Sequence, residues 1–275
     1  MTRILLRPRK LFKVPIEASA ISPDNFAAAR KVEEIKNQVV WEGNRPATLA
    51  SIFDVEELEQ GGELLEIIIE GDASKLRGVG KGMGSGTITV EGNAGIRLGE
   101  AMRGGTITVN GNVGSWLGSR MRGGRIEVSG DAGDYVGSAI RGSTRGMSGG
   151  QIVVRGSAGN EVGCWMRDGM IRIGGNVGQF AGVHMLGGTI VIEGSSRGRI
   201  GASMKGGRIV VLGEVGRVLP SFSIEEIRNV ARVGEDRIPG PFYVFAGDLA
   251  DDGDGRLYVS KDRNLELRFY ESYIE

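Results

Sequence analysis

The sequence predicts an all-β chain: a single-stranded β-solenoid of about seven to eight turns with a 19-residue period, closed at both ends by small mixed segments. Three observations carry that expectation. A Gly excess is confined to one stretch, a repeat returns every 19 residues, and superimposed repeats give columns of uniform apolar type.

The chain holds 48 Gly in 275 residues, well above the usual ~7%. All but six lie between Gly61 and Gly216. Collagen is excluded because only 7 Pro are present and Gly shows no three-residue period. A hydrophobic content of 40% excludes disorder. What remains is an ordered architecture that uses Gly for backbone reasons.

Gly92, Gly111, Gly130, Gly156, Gly175, Gly194 and Gly213 close seven similar stretches at intervals of 19, 19, 26, 19, 19 and 19 residues, and Gly71 closes an eighth. The long interval places a seven-residue insertion within Ser138 to Ser148. Each unit reads G-x-x-M-x-x-G-x-I-x-V-x-G, as in Gly99-Glu-Ala-Met-Arg-Gly-Gly-Thr-Ile-Thr-Val-Asn-Gly111. Alternation around the Ile and Val has period two, so this part is a strand with one buried face. Nineteen residues are too few for a βαβ unit of ~30 or a propeller blade of ~40. One turn of a solenoid fits.

Stacked turns lie ~4.8 Å apart, so equivalent residues should form ladders. Ile88, Ile107, Ile126, Ile152, Ile171, Ile190 and Ile209 hold one column. Val90, Val109, Val128, Val154, Ile173, Ile192 and Val211 hold the next, and Leu98, Leu117, Val136, Val162, Ala181, Ile200 and Leu219 a third. Met83, Met102, Met121, Met147, Met166, Met185 and Met204 form a fourth. A soft-metal role for these thioethers is weaker than packing at a tight internal corner. Between strands, G-x-x-G-x-x-x-G supplies turns, with Asn93, Asn112, Asp131 and Asn176 as turn formers able to bond nearby backbone.

An open stack of strands would polymerise, so distinct ends are expected. Residues 1–60 form an N-terminal segment, 61–220 the repeats and 221–275 a C-terminal segment. Ser22 as N-cap and Pro23 at the first helical position start a helix running on through Phe26 to Ile35. Ser223-Ile-Glu-Glu-Ile-Arg-Asn-Val suggests a short covering helix, and residues 241–275 read as two or three strands, including Arg256-Leu-Tyr-Val-Ser and Leu265-Glu-Leu-Arg-Phe-Tyr.

Chemical motifs are sparse. One Cys, Cys164, and one His, His184, exclude an internal disulfide, a Cys-cluster metal site and iron-sulfur ligation. Gly78-Val-Gly-Lys-Gly-Met-Gly-Ser-Gly86 resembles a phosphate-binding loop, but Gly82 follows the Lys where Ser or Thr is required. Asp251-Asp-Gly-Asp-Gly255 lacks calcium-loop spacing and reads as an acidic turn. His184 sits in a column with Ala101, Arg120, Trp165 and Ser203, a variety that marks solvent or an interface. Lys+Arg and Asp+Glu both number 34, which gives no global reason to bind nucleic acid or an anionic membrane. With no signal peptide and no ~18-residue apolar run, the expected location is the cytoplasm.

The outward columns are more telling. Arg97, Trp116, Tyr135, Glu161, Phe180, Arg199 and Val218 precede the third ladder, and Arg103, Arg122, Ser148, Arg167, Leu186 and Lys205 follow the Met. Aromatic and Arg residues favour protein interfaces. Trp116, Tyr135, Phe180, Arg103, Arg122, and Arg141 and Arg145 of the insertion are therefore the candidate docking residues, with an ordinary amphipathic exterior as the alternative reading of the same columns.

The seven copies of G-x-x-M-x-x-G-x-I-x-[IV]-x-G, with Thr144 replacing the leading Gly once, resemble the C subunit of formylmethanofuran dehydrogenase. So do Phe12-Lys-Val-Pro-Ile-Glu-Ala, Val40-Trp-Glu-Gly-Asn-Arg and Ala246-Gly-Asp-Leu-Ala. The resemblance implies a right-handed β-helix acting as a structural, non-catalytic subunit of a complex that reversibly reduces CO2 with methanofuran to N-formylmethanofuran in methanogenesis. It also implies that tungsto- or molybdopterin, iron-sulfur clusters and a dinuclear metal site lie in other subunits, namely pterin-binding, ferredoxin-type and amidohydrolase-like partners. No cofactor and no catalytic residue is carried over to this chain.

Two related readings stay open: a glutamate-synthase-type β-helix and a subunit of a methylotroph formyltransferase/hydrolase complex. The Val-Trp-Glu-Gly-Asn segment favours the archaeal dehydrogenase. A polysaccharide lyase would need an acid/base or metal cluster on one wall, and none is found. An ice-binding solenoid would need a long Thr ladder, whereas only Thr87/Thr89 and Thr106/Thr108 repeat.

Overall fold

The computed structural model describes residues 2–29, 31–59, 61 and 64–274. The chain opens with β1 (Thr2–Pro8) and β2 (Ile16–Glu17), then α1 (Pro23–Ala28) and α2 (Val32–Lys36). A hairpin of β3 (Val39–Glu42) and β4 (Arg45–Thr48) leads through α3 (Leu49–Ile52) to β5 (Phe53–Glu59), β6 (Leu65–Glu70) and β7 (Leu76–Arg77). The repeats then give one strand each: β8 (Thr87–Glu91), β9 (Thr106–Val109), β10 (Arg122–Val128), β11 (Ser148–Val154), β12 (Asp168–Ile173), β13 (Thr189–Ile192) and β14 (Arg208–Val211). β15 (Ser223–Val233), β16 (Asp236–Gly247) and β17 (Gly255–Ser260) follow, with 3-10 turns at Leu249–Asp251 and Leu265–Tyr273.

One 13-stranded mixed sheet dominates, in the order β15-β16-β17-β14-β13-β12-β11-β10-β9-β8-β6-β1-β5. Within this sheet every pair from β1 to β17 is parallel, and antiparallel pairing is confined to β5 at one end and β15 and β16 at the other, while a second sheet, β4-β3-β2-β7, pairs β3 antiparallel with both β2 and β4. The Ile column runs in register from Ile88 to Ile209, and the end segments prolong it with Ile4 and Ile67 on one side and Leu257 on the other. All seven Met of the corner column are fully buried.

Successive repeats also bond outside the strands. Gly99, Gly118 and Gly137 donate their N–H groups to the carbonyls of Val79, Leu98 and Leu117, and paired bridges join Ala73, Ala94, Val113, Ala132 and Ala158. Asn112, Asp131, Ser157, Asn176, Ser195 and Glu214 each donate a backbone N–H to the side chain one repeat earlier, at 2.8–3.1 Å for Asn93, Asn112, Ser157, Asn176 and Ser195 as acceptors and 2.7 Å for Asp131. The Asn residues expected to bond nearby backbone thus bond between repeats, because the polar column is held in the same register as the apolar ones.

Two Gly positions set the thickness of the core. Gly118 has φ +58°, and a Cβ there would stand 2.5 Å from Ile152 Cδ1, so the Ile ladder packs directly onto bare backbone. At Gly124, φ is +84° and a Cβ would meet both Met102 Cε and the Gly105 carbonyl oxygen at 2.7 Å. L-side chains are excluded at both for conformational and steric reasons together.

The ends imitate the repeats they close. Near the start, Ile21 O accepts from Gly80 N at 2.9 Å, and the Asp24 carboxylate accepts from Gly84 N at 2.6 Å and Ser85 Oγ at 3.2 Å. At the far end Asp248 N donates to Met204 O, while its carboxylate accepts from Ser203 N at 2.9 Å and Ala250 N at 3.1 Å. Buried Asn264 completes this end: its amide donates to Gly213 O and Ser260 O, and its Oδ1 accepts from Val215 N.

Three expectations need correction. The helix after Ser22 is capped as expected, with Ser22 Oγ accepting from Asn25 N, but it stops at Ala28 and a second helix starts at Val32; Arg30 lies outside the described residues. Phe26 and Ile35 are both buried and would face opposite sides of one straight 3.6-residue helix, so the break lets both reach the core. The expected helix over 223–230 is the strand β15, which pairs with β16 and buries Ala231 and Val233 against Val191 and Val210 on the outer face of β13 and β14. The expected strand from Leu265 is a 3-10 helix that buries Leu267 and sets Tyr270 edge-on to Phe245. The expected boundary at residue 60 falls on Gln60, outside the described residues.

Replacing Asp248 by Ala leaves the Ser203 N–H without its acceptor in a buried place. A loss of about 1–3 kcal/mol is expected, read as a lower denaturant midpoint, and an unchanged midpoint would show that water serves the end equally well.

Candidate docking surface

The interface candidates occupy an unusual backbone conformation. Arg97, Trp116, Tyr135, Glu161, Phe180 and Arg199 all have φ between 57° and 68°, and so, between 54° and 60°, do Ala101, Arg120, Trp165, His184 and Ser203. These two columns account for all but one of the non-Gly residues at positive φ among the described residues. Gly78 and Gly82 take the same two places at the first repeat. Gly therefore suits these corners, yet the later repeats keep side chains there against a conformational cost of ~1 kcal/mol each. Val218, also expected in the first column, does not share the conformation.

Those side chains stack along the repeats. Trp116 and Tyr135 lie 4.7 Å apart at 13°, and Trp165 and His184 lie 4.4 Å apart at 16°. Arg199 lies 5.1 Å from the Phe180 ring centroid, and Arg141 of the insertion lies 5.9 Å from that of Trp116. All four stacked rings are half-buried. The Trp116 Nε1–H is buried and has no acceptor among the described residues.

The insertion is anchored at both ends: Ala139 N donates to Cys164 O, and Gly146 N to Trp165 O. It brings exposed Arg141 and Arg145 to the same side as the exposed Arg122. Arg103 is spoken for, since both Nε and Nη2 donate to Gly82 O. Arg120 pairs with Glu100, a nearly buried carboxylate. Sequence reasoning placed Arg120 in the His184 column but passed over Glu100, whose position is taken by Ser119 and Ser138 in the next two repeats.

Among the described residues no three His, Cys, Asp or Glu are grouped to hold a metal ion, and no helix is long and apolar enough to cross a membrane. The N–H groups of Gly78, Gly80, Gly82 and Gly84, which a phosphate would need, are donated to Ile96 O, Ile21 O, Glu100 O and the Asp24 carboxylate. Asp252, in the acidic turn, is left-handed at φ +55°. Burial, reinforced by Glu161, pushes the Cys164 thiol up to about 12.

No protein-family profile matches the chain. It is 40% identical over 95 residues to the C subunit of the molybdenum-containing formylmethanofuran dehydrogenase 1 of Methanothermobacter thermautotrophicus, covering 34% of this chain and 23% of that protein. It is 44% identical over 100 residues to the C subunit of the tungsten-containing formylmethanofuran dehydrogenase 2 of Methanothermobacter wolfeii, covering 36% and 37%. The matches thus span well under half the length of these curated relatives. Among solved structures, a chain of the formyltransferase/hydrolase complex FhcABCD from Methylorubrum extorquens, crystallised with methylofuran, superimposes with a TM-score of 0.81 and 30% identity, over 93% of this chain and 99% of that one.

Two outcomes are expected from this geometry. Arg97→Gly should leave the isolated chain as stable or up to ~1 kcal/mol more stable in thermal unfolding, because Gly relieves the left-handed backbone; a clear loss would mean that the side chain is structural. Cys164 should resist alkylation at pH 8 until the chain unfolds. Because its folded value lies above the unfolded one, stability should fall as pH rises from about 9 toward 12, and a flat profile would contradict the assignment.

Proposed function

We propose that this chain, which belongs to the family of formylmethanofuran dehydrogenase C subunits, is the structural subunit of a formyltransferase/hydrolase-type complex of one-carbon metabolism. The observation that carries this reading is the whole-length likeness: 93% of the chain at 30% identity matches a chain of such a complex, whereas the dehydrogenase relatives match only about a third of it. The preference for the archaeal dehydrogenase, drawn from Val40-Trp-Glu-Gly-Asn-Arg, accordingly gives way to the alternative.

In this reading residues 61–220 coil as a single-stranded right-handed β-helix, with 1–60 and 221–275 closing its ends. The chain binds no cofactor and performs no chemistry. Its work is to hold enzymatic partner subunits in the cytoplasm at fixed positions along a stiff wall, through Trp116, Tyr135 and Phe180 and the Arg residues beside them. Side chains retained at strained corners support a role for that wall, and stacked aromatic residues flanked by Arg are the types that anchor interfaces. The dehydrogenase reading remains the second, favoured by the 40–44% identity within the matched stretch.

Formyl transfer and hydrolysis move no electrons, whereas the dehydrogenase reaction reduces CO2. The complex purified through a tag on this chain should therefore release formate from a formylated methanofuran-type substrate without an electron donor, and should not form that substrate from CO2 when a low-potential donor is added. CO2 reduction would establish the second reading, and turnover by the chain alone would refute both. Replacing Trp116, Tyr135 and Phe180 by Gly should lower partner recovery at least tenfold, or about 1.4 kcal/mol, while the isolated chain keeps its circular dichroism.

A further inference from the structure

One concavity on the wall is lined by four guanidinium groups and by no acid. Arg120, Arg122, Arg145 and Arg167, with Ser143 and Ser148, enclose about 360 Å³ where the insertion folds back over the repeats. Arg122, Ser148 and Arg167 stand on three successive repeats: their N–H groups donate to Met102 O, Met121 O and Met147 O in turn. The pocket therefore has a regular floor and an irregular roof, and the roof is the seven-residue insertion.

The charges in it are only partly answered from within. Arg120 Nη2 donates to Glu100, and Arg167 Nη2 donates to Thr144 O at 3.2 Å. Arg120 Nε–H is buried without an acceptor among the described residues. The guanidinium groups of Arg122 and Arg145 have no hydrogen-bond or ion-pair partner among the described residues. Like charges gathered in one concavity repel, so an arrangement that offers two free forks and two serine hydroxyls calls for an anion from outside the chain. Guanidinium forks fit carboxylates in pairs of parallel hydrogen bonds.

The surroundings decide the source of the carboxylate. The same insertion lays Arg141 near the Trp116 ring and is tied at its far end to Trp165 O. The pocket thus interrupts a wall bearing the Trp116–Tyr135 and Trp165–His184 stacks. An anion site set among aromatic anchors is suited to a protein segment, with rings supplying contact area and the charges fixing register.

We infer that this pocket receives an Asp- or Glu-bearing segment of a neighbouring subunit, and that the insertion exists to build it. The inference rests on the structural-subunit reading above and names the chemistry of one contact within it.

The test uses the assembled complex. Arg122→Glu with Arg145→Glu should weaken retention of this chain by roughly tenfold or more and flatten its dependence on salt, as loss of a charged contact requires. Arg122→Lys with Arg145→Lys should keep the dependence on salt but lose part of the affinity, because an ammonium keeps the charge without the paired bonds of the fork, and thermal unfolding of the isolated variants checks that both fold. Inorganic phosphate serves as a probe of vacancy: calorimetry should show it binding the free chain through Arg122 and Arg145 but not the assembled complex. Unchanged affinity and salt slope in the Glu variant would overturn the inference. Arginine-dependent phosphate binding to the assembled complex would also overturn it, in favour of a free small-anion site. A wild-type chain that joins no complex would instead refute the structural-subunit reading itself.

Discussion

Every repeat in this chain is held by the next through backbone hydrogen bonds spaced by one strand separation, and the other features are consequences of that spacing. Equivalent residues must lie over one another, so a residue type that suits one repeat suits all, and the Ile, Val/Ile and Met columns result. The same rule admits only Gly where the Ile column meets backbone across the core, as at Gly118. It also turns a local preference into a long-range one: Asn and Ser side chains that elsewhere would close a turn accept instead from the N–H of the following repeat.

A stack built this way has a problem at its ends, where one repeat has no neighbour to meet its polar groups. Both ends solve it in the same manner. A stretch of unrelated sequence copies the path of a missing repeat, and an Asp carboxylate replaces the carbonyl that the copy cannot place, Asp24 at one end and Asp248 at the other. The strands at the margins of the sheet carry charge as well. Asp54, Glu56 and Glu59 of β5 pair with Arg9, Arg7 and Arg3, and Glu225 of β15 pairs with Arg256. Charged margins discourage pairing with a further strand.

What could be read from the amino acids follows the same division. The repeated part was legible because one physical rule acts on it seven times, so the register, the buried columns and the place of the insertion all followed from Gly and Met spacing. The ends were not, because each is solved once. Ser223-Ile-Glu-Glu-Ile-Arg-Asn-Val has helical spacing of its apolar residues but is drawn into a hairpin by the adjacent apolar outer positions Val191 and Val210, whose counterparts in earlier repeats, Thr89, Thr108, Glu127, Val153 and Arg172, are polar except for Val153. That change from polar to apolar was the available signal. The docking candidates were found as a column, but their left-handed backbone was not, since left-handed corners were expected to be Gly. The Arg pocket escaped notice for another reason: it joins residues of three repeats with the one segment that breaks the period.

The parallel register has a consequence for change over time. A chain whose units are superimposable can lengthen or shorten only by whole units, and each would shift everything beyond it by about 4.8 Å along one axis. Distances between points on the wall are thus graduated like marks on a rule. Insertions such as that before Met147 leave the graduation untouched, since β10 and β11 pair across it in the common register. Relief can be added to this surface without altering its scale.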